Sequence, residues 1–367
     1  MSHVLVAPDK FKGSLTAVEV AAAVADGLAA AAPGVPVRVL PVADGGEGTV
    51  DAAVAAGFRR VRTLVTGPTG QRLTASYARR GGTAVVELAE ASGLHRLPGG
   101  LAPLTASSFG TGELIGAAVR AGCKRVVLGV GGSASTDGGA GLLAALGARL
   151  FDADGAPLAP GGAALRRLAR VDLSGLDSRL SEVDFELASD VDNTLLGTHG
   201  AAAVYGPQKG ATAEDVEVLE DGLTRWAMAV DPQVAGRPGA GAAGGAGFAA
   251  MAVLGARMRP GIALLLDLLG FPDAVRGARL VITGEGSLDE QTLRGKAPAG
   301  VALAAGVPVV AVAGRSLLSA AQLREAGISA VYPLSDLEPD PTRSMVNAGD
   351  LLRRCAARVA HDFLEAR

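Results

Sequence analysis

The sequence predicts an α/β protein of two domains, one built around a parallel sheet from both ends of the chain and one of mixed α/β character inserted between them. Two patterns carry this reading: apolar strands alternate with amphipathic helices near both termini, and the middle strands are joined by tight glycine turns. Length adds a third argument. At 367 residues, 49% apolar and 19% charged, the chain is long enough to bury two cores.

The opening is a βαβ unit. Val4–Ala7 is a short buried strand, Leu15–Ala32 has helical spacing at Leu15, Val18, Val24 and Leu28, and Thr16 with Glu19 forms a capping box. Pro33-Gly34 stops that helix before a strand at Val37–Val42. The far end repeats the pattern, with strands at Leu280–Thr283, Val307–Ala313 and Ala330–Pro333. A final helix, Asp350–Leu364, places Leu351, Leu352, Cys355, Val359 and Phe363 on one face. In the middle, Arg60–Val65, Leu73–Ala78 and Ala84–Ala89 form antiparallel hairpins, and strands at Arg125–Val130 and Asp184–Ala188 each end in a polar loop. The predicted division is residues 1–62 with 274–367 for the parallel-sheet domain and 63–273 for the insertion, the site lying in a cleft between them.

Composition excludes several classes. A formal net charge of −3 without a basic stripe argues against nucleic acid, and 3% aromatic residues is thin for base stacking. Cys123 and Cys355 form no CxxC pair, and with four scattered histidines they give no zinc spacing. No apolar run is long enough for a membrane span, since Leu264–Leu269 is interrupted by Asp267; Val4–Pro8 is too short for a signal sequence. The chain is therefore expected in the cytoplasm.

Five strand-end loops gather small and acidic residues, where open α/β sheets bind ligands. APDKFKGS brings Asp9, Lys12 and Ser14 to a helix start, and with Thr16 capping the helix, Lys12 and Ser14 are left to face an anion. ADGGEGT sets Asp44 and Glu47 around two glycines that allow close backbone approach. GVGGSASTDGGAG contains Gly131, Gly132, Ser133, Thr136, Asp137 and Gly138, an anion cradle of backbone amides. The same loop holds a G-x-G-x-x-A pattern (Gly129, Gly131, Ala134) with Asp152 downstream, which supports a second reading: an NAD(P)-binding oxidoreductase acting on a small hydroxy acid. Asp137 beside the pyrophosphate and the Gly138-Gly139 pair speak against it. ASDVDN offers Asp190, Asp192 and Asn193 as hard oxygen donors suited to Mg²⁺. ITGEGSLDEQTLRGKAP contributes Glu285, Asp289 and Lys296 without a Walker A sequence, and Ser287 with Glu290 looks like a second capping box. YGPQKGA, with Lys209, and RPGAGAAGGAG are expected to move, Lys209 reaching an anion. Carboxylates, isolated lysines and glycines without a Cys-His or Ser-His pair suit metal-bridged phosphoryl transfer.

These motifs resemble the bacterial glycerate kinase family, ATP-dependent and of the glycerate 2-kinase type. APD-x-FKGS, ADGGEGT, GTGE, GGS-x-x-x-DGGAG, DVDN, GPQKGA, GAGAAGG and TGEG-x-x-D-x-QT-x-x-GK occur in the family's order from Ala7 to Lys296, and the family covers essentially the whole chain. Lys10 and Thr194 depart from the common Ser and Pro, which puts loop details in doubt. The resemblance implies a flavodoxin-like (Rossmann-like) part, ATP and Mg²⁺, D-glycerate as acceptor, and 2-phosphoglycerate as product, with 3-phosphoglycerate the alternative. A homo-oligomer is compatible with it. The expected roles follow. Lys12, Ser14 and the Ser133–Gly139 loop hold phosphate or the glycerate carboxylate. Asp190, with Asp137 second, serves the attacking hydroxyl. Asp192, Glu285 and Asp289 serve the metal, and Lys209 and Lys296 neutralise charge.

Overall fold

The structure is a computed structural model and describes residues 2–293 and 295–364. In chain order its strands are β1 (His3–Val6), β2 (Val37–Val39), β3 (Arg59–Thr66), β4 (Arg72–Arg80), β5 (Thr83–Glu87), β6 (Arg125–Gly129), β7 (Arg149–Phe151), β8 (Arg170–Asp172), β9 (Asp184–Ala188), β10 (Arg257–Arg259), β11 (Ala278–Leu288), β12 (Val309–Ser316) and β13 (Ala330–Pro333). The chain divides into two compact units. One takes the chain up to Asp44, Asp51–Gly57 and everything from Pro260 onward; the other takes Gly45–Val50 and Phe58–Arg259. The chain passes between the units at 44/45, 50/51, 57/58 and 259/260. The passage at 57/58 precedes β3, which starts at Arg59 and pairs only within the second unit's sheet.

The first unit has a sheet of order β13-β12-β11-β1-β2, parallel at every pairing. Numbered within the unit, this is the flavodoxin-like order 2-1-3-4-5, whose direction reverses between β1 and β11. All four residues of β1 are buried, as a strand covered on both faces requires. Val4, Val6, Leu280, Ile282, Val310 and Val312 pack on one face against Val20, Val24, Leu28, Leu352, Cys355 and Val359 of the helices Ala17–Ala31 and Ala348–Phe363. Those helices meet through Gly27, where a methyl group would lie 2.8 Å from Ala356 Cβ. The Thr16/Glu19 capping box is present. Phe363, expected on the buried face, is 38% exposed, and Leu364 is buried in the same cluster. β11 runs on to Leu288, so Ser287 is a strand residue that accepts from Arg315 Nε rather than a helix cap.

The second unit's sheet has the order β10-β9-β6-β5-β4-β3. β3–β4 and β4–β5 are the expected antiparallel pairs, while β5–β6, β6–β9 and β9–β10 are parallel. The parallel half directs the carboxyl ends of β5, β6 and β9 the same way. Trp226 and Phe248 meet edge to face in the core with ring centroids 6.4 Å apart. The segment expected to move, Arg237–Gly247, is instead largely buried: Ala240, Ala242 and Gly244–Gly247 are all inside. Its small residues form a packing surface, not a slack tether.

Candidate active site

In the first unit, the loop after β1 and the end of β11 lie side by side at the switch point. Asp9 N–H donates to Gly284 O (2.8 Å), Ala7 N–H to Ile282 O (2.7 Å) and Thr283 Oγ1 to Ala7 O (2.9 Å). This brings carboxylates together. Burial pushes the Asp9 carboxyl up to about 7; Lys10 opposes this, while Asp44 and Glu285 add to it. Glu285 is raised as well, first by burial and then by Asp289 and Asp44, against a hydrogen bond from Thr292 Oγ1 (2.5 Å) and the charge of Lys296. Four acids and two lysines therefore share one field. Asp289 accepts from Gln291 N–H (2.9 Å). Lys12 is exposed, whereas the Ser14 hydroxyl donates to Met345 O (2.8 Å) and is committed to the fold.

The second unit gathers the other motifs by backbone contact between glycines. Gly45 sits at φ +97°, where a Cβ would stand 2.8 Å from Ala188 O. A Cβ on Gly129 would meet Gly45 O at 2.6 Å, and one on Gly131 would meet Gly46 Cα at 2.5 Å. ADGGEGT thus lies directly on the ends of β6 and β9, a fit that side chains would prevent. Glu87 fastens it, accepting from Gly48 N–H (3.3 Å) and Val50 N–H (3.1 Å). Glu47 Oε1 lies 3.1 Å from His95 Nδ1. The sequence reading missed both Glu87 and His95: nothing in their local spacing marks them, and it is the β5–β6 pairing that places Glu87 and the Leu94 N–H bond to Gly132 O that places the turn carrying His95.

The Ser133–Gly139 loop follows β6. Asp137, 1% exposed, accepts five hydrogen bonds: from Ser107 Oγ (3.3 Å), Ser108 N–H (2.8 Å), Ser108 Oγ (2.9 Å), Gly139 N–H (3.1 Å) and Gly141 N–H (3.3 Å). The carboxylate holds the loop's shape. Trp226 Nε1 donates to Gly138 O (2.9 Å) and Gly138 N–H to Gly244 O (2.9 Å). Lys209 is internal. It is 1% exposed and donates to Ser133 Oγ (2.8 Å) and Ser135 O (2.5 Å), so it does not reach outward. Ser135 Oγ and Thr136 Oγ1 are buried without a hydrogen-bond partner.

The DVDN loop follows β9, which pairs with β6 in the register Gly129↔Ala188, so the two loops start side by side. Asp190 and Asp192 are exposed. Asn193 is tied down, donating to His199 O (2.8 Å) and accepting from Tyr205 Oη (2.5 Å), and Gly241 N–H donates to its carbonyl (2.9 Å). Asn193 therefore fixes the loop that carries the two acids. Asp152, the acid of the dinucleotide reading, is occupied elsewhere: it accepts from Asp154 N–H, Ala156 N–H and Arg167 Nη2 beside β7.

Comparison with known proteins decides between the two readings. Residues 4–364 match the glycerate kinase family. The chain belongs to that family. It is 45% identical to a glycerate kinase of Bacillus subtilis (strain 168), over 97% of this chain and 96% of the relative. A glycerate 2-kinase of Escherichia coli (strain K12) is 43% identical, over 90% of this chain and 89% of the relative. Among solved structures, a Salmonella typhimurium LT2 protein assigned as glycerate kinase 2 superposes with a TM-score of 0.83 at 44% identity, over 98% of this chain and 99% of that one. The family makes the enzyme a phosphotransferase that uses ATP, and the oxidoreductase reading falls. Among the described residues no helix is long and apolar enough to cross a membrane.

The donor set can be tested for Mg²⁺. In the first unit Glu285 and Asp289 offer oxygen only, and the crowding that raises Glu285 is what a divalent cation would relieve. Asp192, in the second unit, likewise offers only oxygen. Among the described residues no three Asp, Glu, His or Cys side chains converge as a ready cage.

Proposed function

We propose that the enzyme transfers the γ-phosphoryl group of ATP to D-glycerate, giving 2-phosphoglycerate and ADP with Mg²⁺ bound, in the cytoplasm. The observation that carries this is the pairing of a backbone anion loop with an exposed acid. The Ser133–Gly139 loop and Asp190 leave adjacent parallel strands at matched register. The loop is suited to an anionic group, and Asp190 lies where a carboxylate can orient a hydroxyl and take its proton. Asp137 and Lys209 shape the loop; Gly131, Gly132, Ser133, Thr136 and Gly138 present it. In the first unit, Lys12 and Lys296 are cations available to oppose charge on a phosphate. There Glu285 and Asp289 would hold Mg²⁺, and in the second unit Asp192 is the corresponding oxygen donor; the ion draws negative charge off phosphate oxygens when bound.

The test is coupled ADP release over small hydroxy acids, followed by ³¹P NMR of the product. D-Glycerate should exceed L-glycerate, lactate and glycerol as acceptor, and the phosphorus should couple to the single C2 proton. Equal turnover of glycerol would overturn the substrate, and coupling to a methylene pair would place the phosphate on C3.

A further inference from the structure

We propose that Lys209 is a positioning residue for the anion loop, its buried ammonium joining the Ser133–Gly139 loop to the turn at Ala243–Gly245. The inference rests on the kinase reading above and adds a role that its substrate contacts do not contain.

Three separated segments converge on one nitrogen. Lys209 ends the short 3₁₀ turn Pro207–Lys209 and points inward. Its Nζ donates to the side chain of Ser133 and the carbonyl of Ser135, two of the three bonds an ammonium can make. Turning the Ser135 carbonyl onto the ammonium sends the Thr136 N–H of the same trans peptide the opposite way, as a cradle of amides requires. The third segment comes from the glycine-rich helix start. Ala243, Gly244 and Gly245 are all left-handed, at φ 52°, 67° and 92°. A Cβ on Gly244 would lie 2.9 Å from Lys209 Nζ and 2.7 Å from Thr136 Cα, so only glycine permits this approach. Ala243, the positive-φ residue with a side chain in this turn, is held in a conformation that a Cβ disfavours.

A lysine at this depth is expensive unless its charge is answered. Burial pushes the ammonium down to about 7, against the field of Asp137. A methionine or leucine would fill the volume without that cost but could not hold the Ser133 hydroxyl and the Ser135 carbonyl. Ser135 Oγ and Thr136 Oγ1, both buried and unpartnered, mark the same segment as polar room beyond what packing needs.

The test uses the full chain with three variants. Lys209→Met removes the donors at nearly constant volume. Lys209→Ala leaves a space matched by n-propylammonium. Gly244→Ala keeps every donor but pushes on the same loop, and on the ammonium itself, from the opposite segment. Losing one charge-assisted contact corresponds to roughly a 10- to 100-fold effect. Lys209→Met and Gly244→Ala should therefore raise KM for whichever anion the loop holds by that factor while the protein stays folded by circular dichroism. A rise confined to glycerate places the carboxylate there, and one confined to ATP places a phosphate. Addition of n-propylammonium should restore Lys209→Ala, whereas tetramethylammonium should not. Wild-type KM in folded Lys209→Met, or equal proportional loss of every parameter with no amine rescue, would overturn the inference. Absence of kinase activity in the wild type would instead overturn the reading beneath it.

Discussion

Asp137 and Asp190 are acids at the ends of neighbouring strands, yet their surroundings assign them different work. Asp137 is surrounded by five donors, and asparagine in its place would turn an NH₂ group into at least one of them. Asp137→Asn should lower unfolding free energy by roughly 1–3 kcal/mol, because buried donors lose their acceptor. Asp190 is exposed at the end of β9. If it serves the acceptor hydroxyl, Asp190→Asn should leave nucleotide affinity near wild type and lower kcat and kcat/KM together, on the order of 10²–10⁴-fold. Urea denaturation beside initial rates separates the two. Full stability of Asp137→Asn, or unchanged kcat in Asp190→Asn, would contradict this division.

At the scale of elements, the glycine loops act by letting main chain touch main chain. Gly131→Ala should force Gly46 away and shift the cradle, and a misplacement of that kind can cost on the order of 10²-fold in kcat/KM. Gly82→Ala, where nothing lies within 4 Å of the added methyl, is the matched control and should be silent. Equal activity of the two variants would show that the loop tolerates the displacement. The same loops show how far the sequence was legible. β9 was read to the residue, and the Thr16/Glu19 cap was correct, because alternation and capping are local signals. Lys209 was expected to reach an anion from between Gly-Pro-Gln and Gly, and no local signal tells that it is internal; a contact 76 residues away makes it so. Arg237–Gly247 was misread for a related reason. Glycine and alanine look slack by composition, whereas close packing is what their small size allows. Ser287 followed a valid capping pattern that the extension of β11 overrode.

For the molecule as a whole, Lys209 makes stability depend on pH. Its folded-state pKa of about 7 lies below the ordinary 10.5, so between those values the unfolded chain carries the extra proton. Wild-type stability should therefore rise with pH across that window, the cost being fully present below about 7 and gone above 10.5. Lys209→Met should lack this rise, which urea midpoints taken across the window would reveal; parallel curves would place the lysine in a wetter setting than its burial implies. The sheet of the first unit has another consequence, which concerns synthesis. β1 is buried between β2 and β11, yet β11 begins only at Ala278, after the entire Phe58–Arg259 stretch. On the ribosome the second unit can complete its sheet while β1 waits for its neighbour. At roughly 5–20 residues per second, that wait lasts on the order of tens of seconds. Throughout it an apolar strand edge stands open, the kind of surface chaperones capture and aggregates recruit. The nascent chain, more than the finished enzyme, is where this fold is vulnerable.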